Sequence, residues 1–170
     1  VSAWQGIRDA GRPLLAVITY SSLRAVVLFG LAAFVPLWWE ARGGSLVTGA
    51  ALITAFLMVG IVGNLGSAYL ARHFGRRQLI IAGTLAGIVL ETAFMFSSGL
   101  WLWITLSGAG IALFATLPLT VLMGQDLLPR HHSLGGGLAF GFSNAMGALI
   151  VAPLGALAAV WGPTGVLWTV

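Results

Sequence analysis

Two long apolar runs, about 46-71 and about 79-96, flank the basic stretch Ala68-Tyr69-Leu70-Ala71-Arg72-His73-Phe74-Gly75-Arg76-Arg77. Each run is near the ~20 residues that cross the hydrocarbon core of a bilayer. Three of the eight Arg residues lie in the stretch between them. A short basic loop between two spans marks the cytoplasmic side, because Arg is strongly biased to that face during insertion. Placing this loop inside fixes the direction of every other span. Composition points to the same setting: 59% of residues are hydrophobic and 7% charged, where a soluble domain carries about a quarter charged.

Along the chain, 1-13 reads as the end of a cytoplasmic linker holding Arg8, Asp9 and Arg12, and 14-170 as a transmembrane bundle. Spans are expected at about 14-39, 46-71, 79-96, 100-124 and 134-160, with an incomplete one at 163-170. Trp38 and Trp39 close the first span and Trp101 and Trp103 open the fourth, where amphipathic rings favour the interface. Pro118 is expected to kink the fourth span. Ser133 is a candidate cap for the fifth, and Pro163, after the Trp161-Gly162 turn, starts the sixth. Only eight residues remain from Pro163 onward, about 12 Å of helix. With Val at the first position, this predicts a piece of a longer protein.

The charges obey the same topology. Arg8, Arg12, Arg72, Arg76, Arg77 and Arg130 fall inside, Arg42 falls outside, and Arg24 lies within a span. The net charge of +4 is spread over loops and not gathered on one soluble face, so it marks topology and no nucleic-acid partner is expected. With no Cys, disulfides, thiolate metal sites and a cysteine nucleophile are excluded. His131-His132 and His73 lack further ligands and read as loop residues. No phosphate-cradling glycine loop or catalytic triad spacing is present, so no cofactor, no metal and no enzyme chemistry are expected.

The basic stretch resembles the loop signature of the major facilitator superfamily, roughly Gly-x-Leu-Ala-Asp-Arg-x-Gly-Arg-Arg. Arg72 stands where that pattern has Asp, and Ala68 where it has its first Gly. A degenerate copy of this kind is similar to the loop of the C-terminal half of such transporters. Ser22-Leu23-Arg24, Phe29-Gly30 and Phe34-Val35-Pro36-Leu37 resemble the seventh helix of the fosmidomycin-resistance group. Leu117-Pro118-Leu119-Thr120-Val121 and Gly124-Gln125-Asp126-Leu127-Leu128-Pro129-Arg130, before the glycine-rich run from Leu134 to Gly141, resemble that group too. The resemblance implies an all-α fold: helices seven to eleven and the start of twelve of a twelve-helix secondary transporter. It further implies proton-coupled efflux of a drug or metabolite, by antiport, at the plasma or bacterial inner membrane. The partners implied are the lipid bilayer, a small-molecule substrate and the transporter's own N-terminal half.

Two charges lie deep in spans, Arg24 and Glu91. A charge at the bilayer centre costs about 2.5–3.5 kcal/mol on insertion scales, so it faces protein or water and finds a partner. Arg24 is eleven residues above Pro13, about 16 Å deep. Glu91 reaches a similar depth in its own span and is the acid placed to meet it. Tyr20 lies one turn below Arg24 on the same face. Arg24, Glu91, Asn144 and Tyr20 are therefore the candidates for a substrate or proton pathway; the alternative for each is an interhelical lock. Asn64, Ser143, Thr116 and Thr120 could line a cavity, but each by itself reads better as an interhelical hydrogen bond. Arg72, Gly75, Arg76, Arg77, Gln125, Asp126 and Arg130 form a candidate cytoplasmic gate and topology loop, and its Arg residues could also meet anionic headgroups. Two rival classes are weighed against transport: a membrane-embedded interaction or assembly protein without a transport cycle, disfavoured by the deep charge Arg24, and an intramembrane enzyme, disfavoured by the absence of catalytic spacings.

Overall fold

Inside a bilayer no water is present to satisfy backbone N–H and C=O groups, so an apolar run must satisfy its own, and it does so as helix. The computed structural model describes residues 3–167, and they contain no strand. Helix α1 is Ala3–Ala41, α2 is Leu46–Phe74, α3 is Arg76–Phe96 and α4 is Leu100–Leu127. After a short loop come α5, His132–Gly137, a π-helical turn at Leu138–Phe142, and α6, Ser143–Leu167. Five helical segments among the described residues are long and apolar enough to cross a membrane, the last of them joining α5 to the first part of α6.

The differences from the sequence reading lie at the ends of the helices. Helix α1 starts at Ala3, so most of the stretch read as a linker is helical. Gly11 interrupts it with φ 28° and ψ −114°, a backbone conformation open to glycine and costly for residues with a Cβ. The basic stretch is hardly a loop. Helices α2 and α3 run into it from both sides and only Gly75, at φ 80°, separates them. Arg72 and His73 therefore occupy the last turn of α2, where positive charge complements the helix dipole. Ser133 does not cap the fifth span: the helix begins at His132 and the capping position is His131. Helix α4 stays helical on both sides of Pro118. At Gly162, φ 74° and ψ 163° break α6 where the turn is expected. Among the described residues no sixth span is seen, and Trp168–Val170, which would continue it, lie outside them.

Helix α4 is the hub, with α2 and α3 both packed on it, while α6 packs on α1, which also touches α2 and α4. Small residues set these distances, since in lipid helices associate by close packing rather than by hydrophobic burial. A Cβ on Gly110 would lie 2.5 Å from the Phe56 carbonyl oxygen, and one on Gly147 would lie 2.5 Å from Ala25 Cβ. Gly63 faces the Ile111 carbonyl and Gly135 the Gly124 carbonyl with equally little room. The core gathers Trp38, Phe56, Phe94, Leu102 and Leu106. Trp38, expected at the lipid interface, is fully buried; its ring centroid lies 5.0 Å from that of Phe94, and Arg42 stacks over it at 4.2 Å. Trp101 does face outward, 67% exposed.

No Cα of α1 comes within 8 Å of one in α3. The two helices flank α4 and leave a groove between them.

Candidate functional site

Helical spacing puts Tyr20, Arg24, Val27 and Leu31 on one stripe of α1, and all four line that groove. Spacing of the same kind puts Thr84, Gly87, Ile88 and Glu91 on the facing stripe of α3. Between the stripes, three cavities follow one another along the groove. The first, about 780 Å³, lies at the Arg-rich end and is walled by Ala16, Val17, Ile80 and Ile81, with Arg77 and Asp126 at its edge. It ends at Tyr20, which also lines the second cavity, about 200 Å³, containing Arg24 and Glu91. Glu91, with Val27 and Ile88, also lines the third, about 210 Å³, where Leu167 stands beside Leu31 and Met95.

Arg24 is 5% exposed, and its Nε and Nη2 have no hydrogen-bond partner. One carboxylate oxygen of Glu91, Oε1, is likewise buried and unpartnered. The two side chains share a cavity without forming an ion pair, since among the described residues the one ion pair is Arg76 with Asp126. A cavity this size has room for several water molecules, and water held there would have polar atoms from both sides to bond to. Between the first and second cavities the Tyr20 hydroxyl lies 2.8 Å from Thr84 Oγ1. Thr84 donates its own hydroxyl hydrogen to the Ile80 carbonyl at 2.7 Å. The hydroxyl carries a single hydrogen, so Tyr20 is the donor to Thr84.

Three of the four pathway candidates, Tyr20, Arg24 and Glu91, thus meet in one place. Asn144 does not. It lies on α6, where its neighbour Ser143 donates to the Ile18 carbonyl of α1 at 3.3 Å. That contact is on the side of α1 turned away from Arg24, and Asn144 Oδ1 is buried there without a partner. Ser21 Oγ is buried and unpartnered as well. Thr84 escaped the sequence reading, although it precedes Glu91 by seven residues, the two-turn spacing that shares a helix face.

The candidate gate residues are also brought together in part. Arg76, in the first turn of α3, pairs with Asp126 in the last turn of α4. Asp126 and Arg130 line a further cavity of about 660 Å³ beneath the start of α1, beside Asp9 and His131. The Gln125 carbonyl lies 3.1 Å from His132 Nδ1. Thr116 and Thr120 bond carbonyls of their own helix, and Ser67 bonds the Asn64 carbonyl, so these three hydroxyls do not bridge helices. Arg72 stands exposed at the end of α2.

Comparison with known proteins adds one relative. An uncharacterized MFS-type transporter of Bacillus subtilis, YfnC, is 30% identical over 105 residues, 62% of this chain and 26% of that protein. The chain thus spans about a quarter of the relative's length. No family model and no solved structure matches. The similarity supports a relationship to the major facilitator superfamily and, with the five apolar helices, a multi-pass membrane protein.

Proposed function

We propose that this chain is the C-terminal half of a proton-coupled secondary transporter that exports a small drug or metabolite. In this reading it resembles the fosmidomycin-resistance group and works in the plasma or bacterial inner membrane. The observation that carries it is the Arg24–Glu91 cavity. Two unpaired charges in the middle of spans are expensive in lipid, and in membrane proteins they mark substrate and ion pathways. The basic stretch, Arg76 paired with Asp126, and the similarity to an MFS-type transporter support the same reading.

In this reading a sixth helix would complete the half in the groove. Helices α2 and α3 pack on α4, while α1 packs on α6, α2 and α4 but not on α3. The backbone turns at Gly162, and Leu167 is buried at the outer end of the groove. A helix continuing from there along α1 and α3 would give α1 the neighbour that α3 gives α4, and would close the three cavities from lipid. Substrate would bind between this half and an N-terminal half, near the midplane.

The test is transport by the complete protein in inside-out vesicles with an imposed proton gradient. Gradient-driven uptake that collapses with a protonophore and is lost in Arg24→Gln supports the reading. Equal uptake with and without a gradient removes the coupling. No uptake of any compound, together with stable capture of a membrane partner, would favour the assembly-protein reading instead.

A further inference from the structure

We infer that the π-helical turn at Leu138–Phe142 is a hinge, across which α5 moves with the end of α4 while α6 stays with α1. The inference goes beyond the transporter reading and rests on packing alone. Packing changes hands at this turn. Among the described residues, α5 packs on α4 and has no Cα within 8 Å of one in α1. Helix α6 packs on α1 and has no Cα within 8 Å of one in α4. The π turn touches both neighbours. One span is thus held by a different partner on each side of a five-residue joint.

The anchors on the two sides are tight, and the joint between them is not. A Cβ on Gly124 of α4 would lie 2.6 Å from the Gly135 carbonyl oxygen and 2.8 Å from Ala139 Cβ. On the other side Gly147 presses on Ala25. Ser143, fully buried, holds its hydroxyl between two carbonyls, Leu138 at 3.1 Å and Ile18 of α1 at 3.3 Å. Gly137 and Gly141 differ from these: a Cβ on either meets nothing within 4 Å. No close approach among the described residues calls for glycine there, and glycine weakens a helix relative to Ala. A π turn takes one residue more per hydrogen-bonded ring than an α-helix, and such turns are sites where helices kink. Helix α4 carries a matching weak point, since Pro118 has no N–H to give the carbonyl four residues back, that of Phe114. The short loop between α4 and α5 makes the two helices antiparallel. From the Gly124–Gly135 contact, Pro118 lies six residues back along α4, and the π turn spans three to seven residues onward in its partner. These are about 9 Å and about 4.5–10.5 Å, so both helices can bend at one level and 119–127 moves with 132–137 as a unit. That unit carries Asp126 and its pair with Arg76, so release of the pair frees it.

Spin-label distances test the hinge in the full-length protein, with any thiols outside this Cys-free stretch replaced. One pair, Ser133→Cys with Leu149→Cys, spans the π turn, sixteen residues and about 24 Å of helix apart. A second, Leu149→Cys with Leu15→Cys, stays within the α6–α1 body. A third, Ser133→Cys with Leu122→Cys, stays within the α5–α4 body. All four positions are exposed or half-buried, so a label fits. The expected result is two distance populations for the first pair and a single narrow one for each of the others. Gly137→Ala and Gly141→Ala should each shrink the minor population about two- to fivefold, the range a helical Gly-to-Ala change commands, without lowering the unfolding midpoint. Gly155→Ala, on α6 with equally open surroundings, should leave every distribution unchanged. A first-pair distribution as narrow as the other two overturns the inference, and so does a minor population that ignores Gly137→Ala and Gly141→Ala. Loss of stability or of folding in those two variants also overturns it, since the glycines would then serve a close contact and not a bend. None of these readouts involves transport, so the hinge can fail while the transporter reading stands.

Discussion

Replacing Arg24 with Gln separates a working charge from a structural lock. The guanidinium is 5% exposed with Nε and Nη2 unpartnered, and no carboxylate is in ion-pair contact with it. Burying an Arg near the centre of a span costs about 2.5–3.5 kcal/mol on insertion scales. Gln keeps polar atoms in the cavity and removes the charge. Stability should therefore hold or rise, by at most about 3 kcal/mol, while gradient-driven transport is lost. A buried pair behaves in the opposite way: deleting one partner costs about 3–5 kcal/mol, because the other charge is left uncompensated. The two cases differ in sign, so thermal unfolding of the purified protein beside its transport rate distinguishes them. Arg24→Lys should restore little if the guanidinium holds a planar group by two parallel bonds, since an ammonium is a point charge. Destabilisation of 3 kcal/mol or more, with normal transport per folded molecule, would refute the argument and make Arg24 a lock between α1 and α3.

Other perturbations test the packing and the gate. Gly147→Ala places a Cβ 2.5 Å from that of Ala25 and 2.9 Å from the Ala25 carbonyl carbon. It should force α6 off α1 at a cost of about 1–3 kcal/mol, read as a lower midpoint in thermal unfolding; an unchanged midpoint contradicts the packing described for these helices. Asp126→Asn breaks the pair with Arg76, whose side chains are 42% (Arg76) and 61% (Asp126) exposed. The effect on stability should stay under about 1 kcal/mol, but tryptic cleavage after Arg77 in inside-out vesicles should speed up. Restoring the pair in the opposite sense, Arg76→Asp with Asp126→Arg, leaves Arg77 in place and should slow cleavage there again.

The spans were legible because each apolar run ends in punctuation that lipid makes obligatory. Gly75 and Gly162 sit at breaks with positive φ, and the two deep charges stand out against 59% apolar residues. Which way a helix face points was far less legible. Lipid tails are as apolar as Leu, so the inward and outward faces of a span carry similar residues. Trp38 shows this: a Trp at a span end reads as an interface anchor, yet here it fills the core against Phe94. Asn144 and Arg24 look equivalent as polar residues within spans, and only the packing of α6 on the far side of α1 separates them. The Tyr20–Thr84 contact joins residues 64 positions apart, and no local pattern in either helix announces it.

Orientation decides which end of the bundle meets the cytoplasm, and so underlies the transporter reading. Single Cys residues at Ser45 and Gln78, in a full-length protein whose other thiols, if any lie outside this Cys-free stretch, have been replaced, report it directly when intact cells are treated with an impermeant thiol reagent. The Arg asymmetry predicts labelling at Ser45, and labelling at Gln78 only after the membrane is opened. Labelling at Gln78 but not at Ser45 in intact cells would invert the protein and contradict the account.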